Sequence, residues 1–375
     1  MRIAIDAHAI GSKLTGNERY IQNVGERLLK LDDKNEYFFF FSEEEARRRW
    51  ENRMPNLHTR LVSQNPYRRL GLDLILQLRA LRPDVFHYQY TGPLLHVSPE
   101  IVTIHDVSFE RHPEFFDTGE CLRLKVTVRR AARAARKVIT GSEFSKAEIV
   151  HFLKVPEHKI KVIYNGVGSE FQRLEDLDAI RTSLERYAIR QPYLLVVGDI
   201  CRRKNQQAIV RGFARWLSRN KGCEHRLVMV GKRKAYAEEL LAEAARLGLA
   251  DDRLLLPGFV PDEDLPCLYS GAELLLNTSL YEGFGLPLIE AMQCGLPVIA
   301  SRASCFPEIA GDAARYVDPA NPDDLADAIG EVLGDGALRH ELIRAGLARA
   351  QRFRWDATAR QTLEAYYEVA NGFGS

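Results

Sequence analysis

The sequence predicts an α/β protein made of two doubly wound parallel sheets. Three observations support this class: short apolar runs alternate with amphipathic stretches, the apolar runs have no polar face, and the alternation occurs in two successive sets. A chain of 375 residues is long enough for two domains, since one domain has about 150 residues. We therefore expect a first domain over 1–170 and a second over 175–355, with a C-terminal helix at 356–375 that completes the first domain.

The composition is that of a soluble globular protein, with 46% apolar and 27% charged residues. The 52 Lys and Arg residues balance 51 Asp and Glu residues, so the net charge of +1 provides no overall field for nucleic acid. The sequence contains no uncharged apolar run of about 18 residues that would predict a membrane-spanning helix. The first apolar run includes Asp6 and His8, which favours a strand over a signal peptide. We expect a cytoplasmic protein with reduced, buried or half-buried cysteines.

Each predicted strand is a short apolar run bounded by Gly, Pro or Asp. The runs of the first set are 2–6, 37–41, 85–88, 101–106, 137–142 and 161–165. The runs of the second set are 193–199, 225–231, 253–259, 273–279, 297–301 and 314–318. An acidic, irregular segment near 168–190 separates the two sets and predicts the connection between the domains.

The stretches between these strands have the 3.6-residue apolar spacing of amphipathic helices, most clearly at 17–31 and 206–219. In open parallel sheets, ligands bind beyond the carboxyl ends of the strands, where loops turn into helices. Two such sheets that face each other would hold a ligand in the cleft between them. The residues that directly follow the strands are therefore the candidates for ligand binding.

The strongest motif lies at 274–301, where an apolar strand leads into the loop EGFG at 282–285 and then into a helix. Glycines let the backbone approach an anion closely, and the free N–H groups at a helix start attract phosphate. Glu290 lies about one turn into this helix, eight residues after Glu282, and a carboxylate there can accept two hydrogen bonds from a vicinal diol such as ribose. Two such glutamates on their own would suggest a solvated helix face, but their place directly after an apolar strand favours a binding site.

This stretch resembles the paired-glutamate signature of the family 4 glycosyltransferases, which are retaining enzymes with the two-domain GT-B fold. The resemblance spans essentially the whole chain, and this motif is its most specific part. It implies that Glu290 holds the ribose of a nucleotide-sugar donor and that Glu282 lies beside the hydroxyls of the transferred sugar. The resemblance also implies that the diphosphate and sugar are lined by the amides of Gly283, Phe284, Gly285 and Leu286.

A cationic loop follows the strand that ends at Gly198. Breaking a sugar–diphosphate bond leaves negative charge on the leaving oxygen, and preorganised cations stabilise it. Lys204 stands where the family has its diphosphate lysine, whereas Asp199 replaces an arginine that the family often has after the glycine. Arg203 is our candidate substitute for that arginine, although three adjacent cations are also typical of a solvated loop.

In the first domain, His105 and Asp106 end an apolar strand, and the resemblance places His105 near the donor sugar. We expect Asp106 to cap the next turn, and His8, His87, His96 and His112 to be structural hydrogen bonders. Gly16 and Asn17 resemble the family's glycine loop, which closes over the phosphates, while Arg19 is either an acceptor contact or an ion-pair partner.

The nucleobase is expected near the backbone of Phe259 and Val260, because the resemblance places it there.

Two basic stretches, 67–82 and 121–137, are amphipathic and suit either an anionic membrane surface or a solvated scaffold helix. No HExxH motif or carboxylate cluster indicates a metal, and no cofactor is expected besides the nucleotide-sugar substrate.

The resemblance therefore implies a hexosyltransferase that moves a sugar from a GDP or UDP donor to a glycan or lipid-linked acceptor in cell-surface polysaccharide biosynthesis. The stretch HDVSFERHPEFF at 105–116 resembles bacterial mannosyltransferases, which favours GDP-mannose. Two alternatives remain open: a sugar-nucleotide epimerase on the same fold, and a catalytically silent sugar-nucleotide binder, which Asp199 keeps in consideration.

Overall fold

The computed structural model describes residues 1–12, 15–249 and 252–372. The chain divides into two compact units, one formed by residues 1–166 with the segment from 354 onward, and the other by residues 167–353. Both units are parallel sheets with helical crossovers, as the alternating pattern predicts. The second unit is one continuous stretch of chain, whereas the first is completed by the last helix.

Within the described residues, the first unit contains a seven-stranded sheet with the order β3-β2-β1-β4-β5-β6-β7. Every strand pair in it is parallel, and β1 lies between β2 and β4, with Ile3 opposite Tyr37 and Val85. The strands are β1 (Arg2–Asp6), β2 (Glu36–Phe41), β3 (Leu57–Leu61), β4 (Val85–Gln89), β5 (Glu100–Thr103), β6 (Lys137–Thr140) and β7 (Ile160–Val162).

The helices of the first unit cover both faces of this sheet, which is why β4 and β5 are buried along their whole length. They are α1 (Thr15–Leu31), α2 (Glu44–Trp50), α3 (Pro66–Arg68), α4 (Leu74–Leu81), α5 (Ser108–Arg111), α6 (Thr118–Ala134), α7 (Glu143–Leu153) and, from the C-terminus, α16 (Trp355–Ala370).

The second unit contains, within the described residues, a six-stranded parallel sheet with the order β10-β9-β8-β11-β12-β13. The chain order reverses between β8 and β11, which are neighbours in the sheet. The strands are β8 (Tyr193–Val197), β9 (Arg226–Val230), β10 (Leu254–Gly258), β11 (Leu274–Asn277), β12 (Val298–Ser301) and β13 (Arg315–Val317). The helices are α8 (Leu177–Arg186), α9 (Gln206–Arg219), α10 (Tyr236–Arg246), α11 (Leu265–Gly271), α12 (Leu286–Gln293), α13 (Phe306–Ala310), α14 (Pro322–Gly334) and α15 (Gly336–Ala350).

The C-terminal helix α16 is joined to the first sheet by a buried polar chain. The hydroxyl of Tyr366 lies 2.7 Å from Nδ1 of His87, and Nε2 of His87 lies 2.7 Å from Oγ1 of Thr103. His87 and Tyr366 are both fully buried. Burial lowers the pKa of His87 to about 3, with a further contribution from His105, so the imidazole is neutral. Each ring nitrogen therefore has a hydroxyl partner inside the core.

The structure corrects several predicted boundaries. The segment near 168–190 is not irregular throughout, because it contains α8 at Leu177–Arg186. The edge strand β3 was not among the predicted strands, because its polar and charged residues interrupt the apolar pattern. β5 ends at Thr103, so His105 follows the strand instead of ending it. The basic stretch 67–82 is interrupted by a π-helical turn at Arg69–Asp73, and the C-terminal helix ends at Ala370.

Candidate active site

Three charged side chains meet beyond the carboxyl ends of β8 and β11. Nζ of Lys204 lies 2.7 Å from Oε1 of Glu282, and Nη1 of Arg203 lies 2.9 Å from Oε2. Glu282 is buried, and burial alone would raise its pKa, but the charges of Arg203 and Lys204 lower it to about 2. The carboxylate is therefore ionised at neutral pH. Because two cations face one anion, the cluster retains a net positive charge.

The two loops that carry these side chains are joined by hydrogen bonds. The N–H of Leu280 donates to the carbonyl of Arg203 at 2.9 Å, and the Arg203 guanidinium donates to the carbonyl of Tyr281 at 2.9 Å. The hydroxyl of Thr278 donates to the carbonyl of Asn205 at 3.0 Å. These bonds form because β8 and β11 are adjacent strands, so their following loops start side by side. The cationic loop and the EGFG loop therefore behave as one structural element.

Gly198 allows Lys204 to reach the cluster. Its φ of +137° lies in the region that favours glycine, and a Cβ there would come within 3.0 Å of Cε of Lys204. The lysine side chain thus lies directly over the Gly198 backbone. A larger residue at this position would displace the lysine from Glu282.

Helix α12 begins immediately after the EGFG loop, with Gly285 at its N-cap. Gly285 has a φ of +92°, and a Cβ there would meet the ring of Phe306 at 2.7 Å. The N–H of Glu282 donates to Oγ of Ser304 at 3.1 Å, which fixes the start of the loop. Pro287 is the second residue of the helix, where its missing N–H costs no intrahelical bond. The N–H groups of a first helical turn attract anions, so α12 presents an anion site beside the cationic cluster.

Glu290 is buried in α12 and is held by a residue that the sequence analysis missed. Its Oε2 accepts a hydrogen bond from the hydroxyl of Tyr269 in α11 at 2.8 Å. Glu282 and Glu290 belong to the same loop–helix segment, and Glu282 forms its ion pairs with Arg203 and Lys204. Cys294 directly follows this helix. Burial raises the pKa of its thiol, and the charge of Glu290 raises it further.

Asp199 forms an ion pair with a lysine outside the motif. Its Oδ2 lies 3.1 Å from Nζ of Lys234, which follows β9. The two segments approach closely at Gly231, where a Cβ would come within 2.1 Å of the carbonyl oxygen of Gly198. The acid that replaces the family's arginine is therefore neutralised by a neighbouring loop. The pattern GKRK at 231–234, directly after a strand, is the signal that could have revealed this partner.

The predicted nucleobase position follows β10. Gly258 has a φ of +89°, and the chain then exposes 46% of Phe259 while it buries Val260. Phe284 of the EGFG loop is buried, with its ring edge-on to Phe353 at 5.5 Å. The aromatic ring of Phe259 is thus available to a ligand, whereas that of Phe284 supports the loop from inside.

In the first unit, His105 is tied to the start of α1 through Gln89. Nε2 of His105 lies 2.7 Å from Oε1 of Gln89, whose amide donates to the carbonyl of Asn17 at 3.2 Å. The His105 ring also contacts Tyr20 edge-on at 4.8 Å. Burial lowers the pKa of His105 to about 4, although Asp106 acts in the opposite direction, so the imidazole is neutral at neutral pH. Gln89 ends β4 next to β5, and this position at a strand end is the signal that could have identified it.

The expected structural roles in this unit are confirmed for several residues. Asp106 caps the next turn, since its Oδ1 accepts from the N–H of Ser108 at 2.9 Å. Gly16 and Asn17 lie in the first turn of α1, and residues 13 and 14 of the same loop lie outside the described residues. Four histidines of the first domain have the expected hydrogen-bond or ion-pair partners: His8 with Asp6, His87 with Tyr366, His96 with Glu100, and His112 with Glu114.

The described parts of the chain contain no group of three or more His, Cys, Asp or Glu side chains arranged to hold a metal ion. No helix in residues 1–12, 15–249 and 252–372 has both the length and the apolar character needed to cross a membrane. All six cysteines are free thiols, of which Cys121, Cys294 and Cys305 are buried.

Two Rossmann-like units of this topology define a GT-B fold. Known structures confirm it: sucrose-phosphate synthase from Thermosynechococcus elongatus aligns with a TM-score of 0.77 at 20% identity, covering 99% of this chain and 100% of that one. Anabaena Alr3699/HepE in complex with UDP and glucose aligns with a TM-score of 0.76 at 20% identity, covering 98% of this chain and 100% of that one.

Sequence comparison identifies the family. Residues 14–171 match the model of Glycosyltransferase Family 4, and residues 182–349 match that of Glycosyl transferases group 1. The O-antigen chain mannosyltransferase B of Escherichia coli is 30% identical over 295 residues, which are 77% of this chain and 76% of that protein. The serotype-specific mannosyltransferase WbdA of Escherichia coli is 28% identical over 62% of this chain, but that match covers only 29% of WbdA. The chain belongs to family 4 of the glycosyltransferases, and it is a glycosyltransferase.

Proposed function

We propose that this glycosyltransferase moves a hexose, with mannose preferred, from a nucleoside-diphosphate sugar to a glycan or lipid-linked acceptor, with retention of configuration, in cell-surface polysaccharide biosynthesis. The single observation that carries the proposal is the buried ion-pair cluster of Lys204, Arg203 and Glu282 beside the glycine-led start of α12. The mannosyltransferase names of the Escherichia coli relatives support mannose, and GDP is then the expected nucleoside diphosphate.

The cluster suits a leaving diphosphate. Negative charge grows on the departing oxygen as the sugar–phosphate bond breaks, and Lys204 and Arg203 are already held in place to meet it. Glu282 keeps both cations in position before the substrate binds, and we assign its carboxylate to the hydroxyls of the transferred sugar. The amides at the start of α12, from Gly283 to Leu286, would line the diphosphate. In this scheme the acceptor hydroxyl attacks from the face that the diphosphate leaves, and the departing phosphate takes the proton.

We assign the ribose to Glu290 and a sugar contact to His105. The hydrogen bond from Tyr269 orients the Glu290 carboxylate, which has the acceptor oxygens that a vicinal diol requires. His105 is neutral at neutral pH, and its bond to Gln89 holds the ring orientation. A neutral, oriented imidazole suits a hydrogen bond to a sugar hydroxyl better than a charge contact.

A panel of donors tests the proposal. The melting temperature is measured with GDP-mannose, UDP-glucose, UDP-galactose and UDP-N-acetylglucosamine, and nucleotide release is then followed with lipid-linked and glycan acceptors. We expect GDP-mannose to raise the melting temperature most and GDP to appear only when an acceptor is present. Release or sugar conversion without an acceptor would instead indicate an epimerase. Binding without turnover against any acceptor would indicate a silent binder, and the absence of any donor effect would contradict the assigned site.

We also propose that this enzyme works at the inner face of an anionic membrane, through a surface formed by α6 and the neighbouring loop. Leu122 and Val126 of α6 are 64% and 61% exposed and alternate with cations. The exposed Leu94 lies next to this helix, since its carbonyl accepts a hydrogen bond from Arg130. Exposed apolar side chains within a basic stripe suit a bilayer that carries negative headgroups.

Vesicle sedimentation tests this surface. We expect the protein to bind vesicles that contain phosphatidylglycerol and not vesicles of pure phosphatidylcholine. Arg123→Gln with Arg133→Gln should weaken binding by about tenfold or more, because each cation contributes about 1 kcal/mol at such a surface. Leu122→Ser with Val126→Ser should also weaken it, whereas Leu177→Ser, which changes a leucine of the second unit that is 76% exposed, should not. Equal binding to neutral vesicles would contradict the proposal.

A further inference from the structure

A second chain of ionisable side chains lies in the second unit, away from the candidate active site. Sγ of Cys223 lies 2.8 Å from Nδ1 of His225, and Nε2 of the same imidazole lies 2.8 Å from Oε2 of Glu273. Cys223 and His225 belong to the loop between α9 and β9, and Glu273 directly precedes β11. These residues precede their strands, whereas Glu282 follows its strand. Because a five-residue strand is about 16 Å long, the two clusters lie at opposite edges of the sheet.

The loop that holds the thiol and the imidazole is fixed by side chains from two neighbouring segments. The guanidinium of Arg253 donates to the carbonyls of Cys223 at 2.8 Å and of His225 at 3.1 Å. The His225 ring packs edge-on against Trp216, with ring centroids 5.2 Å apart. The sulfur and the imidazole are therefore held in contact by the surrounding fold.

The order of groups is that of an activated nucleophile: a thiol, a base that can take its proton, and an acid that orients the base. The hydrogen bond from His225 is the main reason that the pKa of Glu273 is lowered, so this acid is a carboxylate at neutral pH. A carboxylate on Nε2 stabilises the imidazolium that forms when Nδ1 takes a proton. The thiolate, and not the thiol, is the reactive form of cysteine.

We propose that Cys223 is a reactive thiol that exchanges with low-molecular-weight disulfides, and that His225 and Glu273 activate it. The thiol proton passes to Nδ1 of His225, and the thiolate attacks one sulfur of the small disulfide. The bond between its two sulfurs breaks, a mixed disulfide forms at Cys223, and the leaving thiolate takes the proton from His225. One disulfide replaces another, so no further oxidant is needed.

The other cysteines provide internal comparisons. Cys294 and Cys305 are buried, and burial raises the pKa of both thiols, so they should resist modification. Cys267 is half-buried like Cys223 and should show the rate of a partly exposed thiol. Cys201 is also half-buried but directly precedes the cations Arg202–Lys204, so it shows the effect of neighbouring positive charge. The imidazole contact is thus the property that the experiment isolates.

Alkylation by iodoacetamide, followed for each cysteine by peptide mass spectrometry, tests the proposal on the full-length protein. Near pH 7, Cys223 should react about tenfold faster than Cys267. His225→Gln should reduce the rate of Cys223 to that of Cys267. Glu273→Gln should give a smaller reduction. Glutathione disulfide should add one glutathionyl group to Cys223 and not to Cys201.

Two outcomes would overturn the proposal. The first is a Cys223 rate equal to that of Cys267, and the second is an unchanged Cys223 rate in His225→Gln. Circular dichroism and the melting temperature check that each variant is folded, and reactivity at Cys201 serves as a second check within the same molecule. Cys223→Ser should abolish glutathionylation and leave donor binding unchanged, because the donor is assigned to the opposite edge of the sheet.

Discussion

The ammonium nitrogen of Lys204 lies 2.7 Å from a carboxylate oxygen of Glu282, although the two residues belong to loops that follow different strands. The lysine side chain lies over Gly198, where a Cβ would obstruct it. It reaches Glu282 because β8 and β11 are adjacent strands. Arg203 holds the other oxygen of the same carboxylate at 2.9 Å. The cluster is therefore assembled and charged without a ligand, which would reduce the reorganisation needed to bind the proposed diphosphate.

Glu282→Gln should destabilise the protein. It removes the anion that compensates two partly buried cations, and the loss of one partner from such a cluster costs about 2–3 kcal/mol of the free energy of unfolding. Urea unfolding followed by circular dichroism measures this change. Glu239→Gln is the matched control, because Glu239 pairs with the adjacent Arg202 at a site where both side chains are more than half exposed. The control should change the free energy of unfolding by less than about 1 kcal/mol, and an equal effect of both variants would contradict the buried pairing.

The stabilisation by Glu282 should depend on pH. Its pKa in the folded protein is about 2, below the ordinary value of 4.5, so folding favours the ionised form. The contribution is fully present above the ordinary pKa and is lost as the pH falls through the folded pKa. The difference in unfolding free energy between the wild type and Glu282→Gln should therefore be constant above about pH 5 and shrink between about pH 4.5 and 2. A difference that stays the same at acidic pH would show that the carboxylate is not stabilised by the two cations.

Lys204→Met should lower turnover more than it lowers donor affinity. The lysine is assigned to charge that develops on the leaving diphosphate, so its loss should reduce kcat by about 10²–10³. Arg202→Met is the control, since Arg202 is exposed and pairs with Glu239 away from the cluster. Steady-state kinetics with the best donor measure both variants. A change in KM alone for Lys204→Met would indicate ground-state binding of the diphosphate instead.

Glu290→Ala should weaken donor binding sharply while the fold persists, because it removes the carboxylate assigned to the ribose. Tyr269→Phe should have a smaller effect of about tenfold, since it removes only the hydrogen bond that orients Glu290. Isothermal titration with the nucleoside diphosphate measures both affinities, and the melting temperature without ligand reports the fold. Unchanged affinity in Glu290→Ala would refute the ribose assignment.

Tyr366→Phe should loosen the attachment of the C-terminal helix. Its hydroxyl is the partner of Nδ1 of the fully buried His87, and an unsatisfied buried nitrogen costs about 1–3 kcal/mol. The adjacent Tyr367→Phe is the control, because Tyr367 is 37% exposed and water can replace its bond from Asn35. Thermal unfolding of the two variants gives the comparison. Equal melting temperatures would show that the His87 chain does not stabilise α16.

The alternation of apolar runs and amphipathic stretches was sufficient to predict the fold class. Interior parallel strands must be apolar on both faces, so the pattern is visible in any linear stretch such as 193–197. Edge strand β3 was missed because its three middle residues, His58, Thr59 and Arg60, are polar or charged and only Leu57 is buried. Helix α8 within 168–190 was missed because only Ile180, Ser183 and Leu184 of its ten residues are buried, so most of its sequence is that of a solvated surface.

The sequence by itself identified the loops that hold Lys204 and Glu282, and the family resemblance added His105. Only the tertiary structure decided the partners: Lys204 with Glu282, Glu290 with Tyr269, Asp199 with Lys234, and Cys223 with His225 and Glu273. The physical reason lies in the sheet order. Local spacing specifies approximately where each strand ends, but burial of whole sheet faces decides which strands become neighbours. Side chains that are distant in sequence meet only where the ends of neighbouring strands lie side by side.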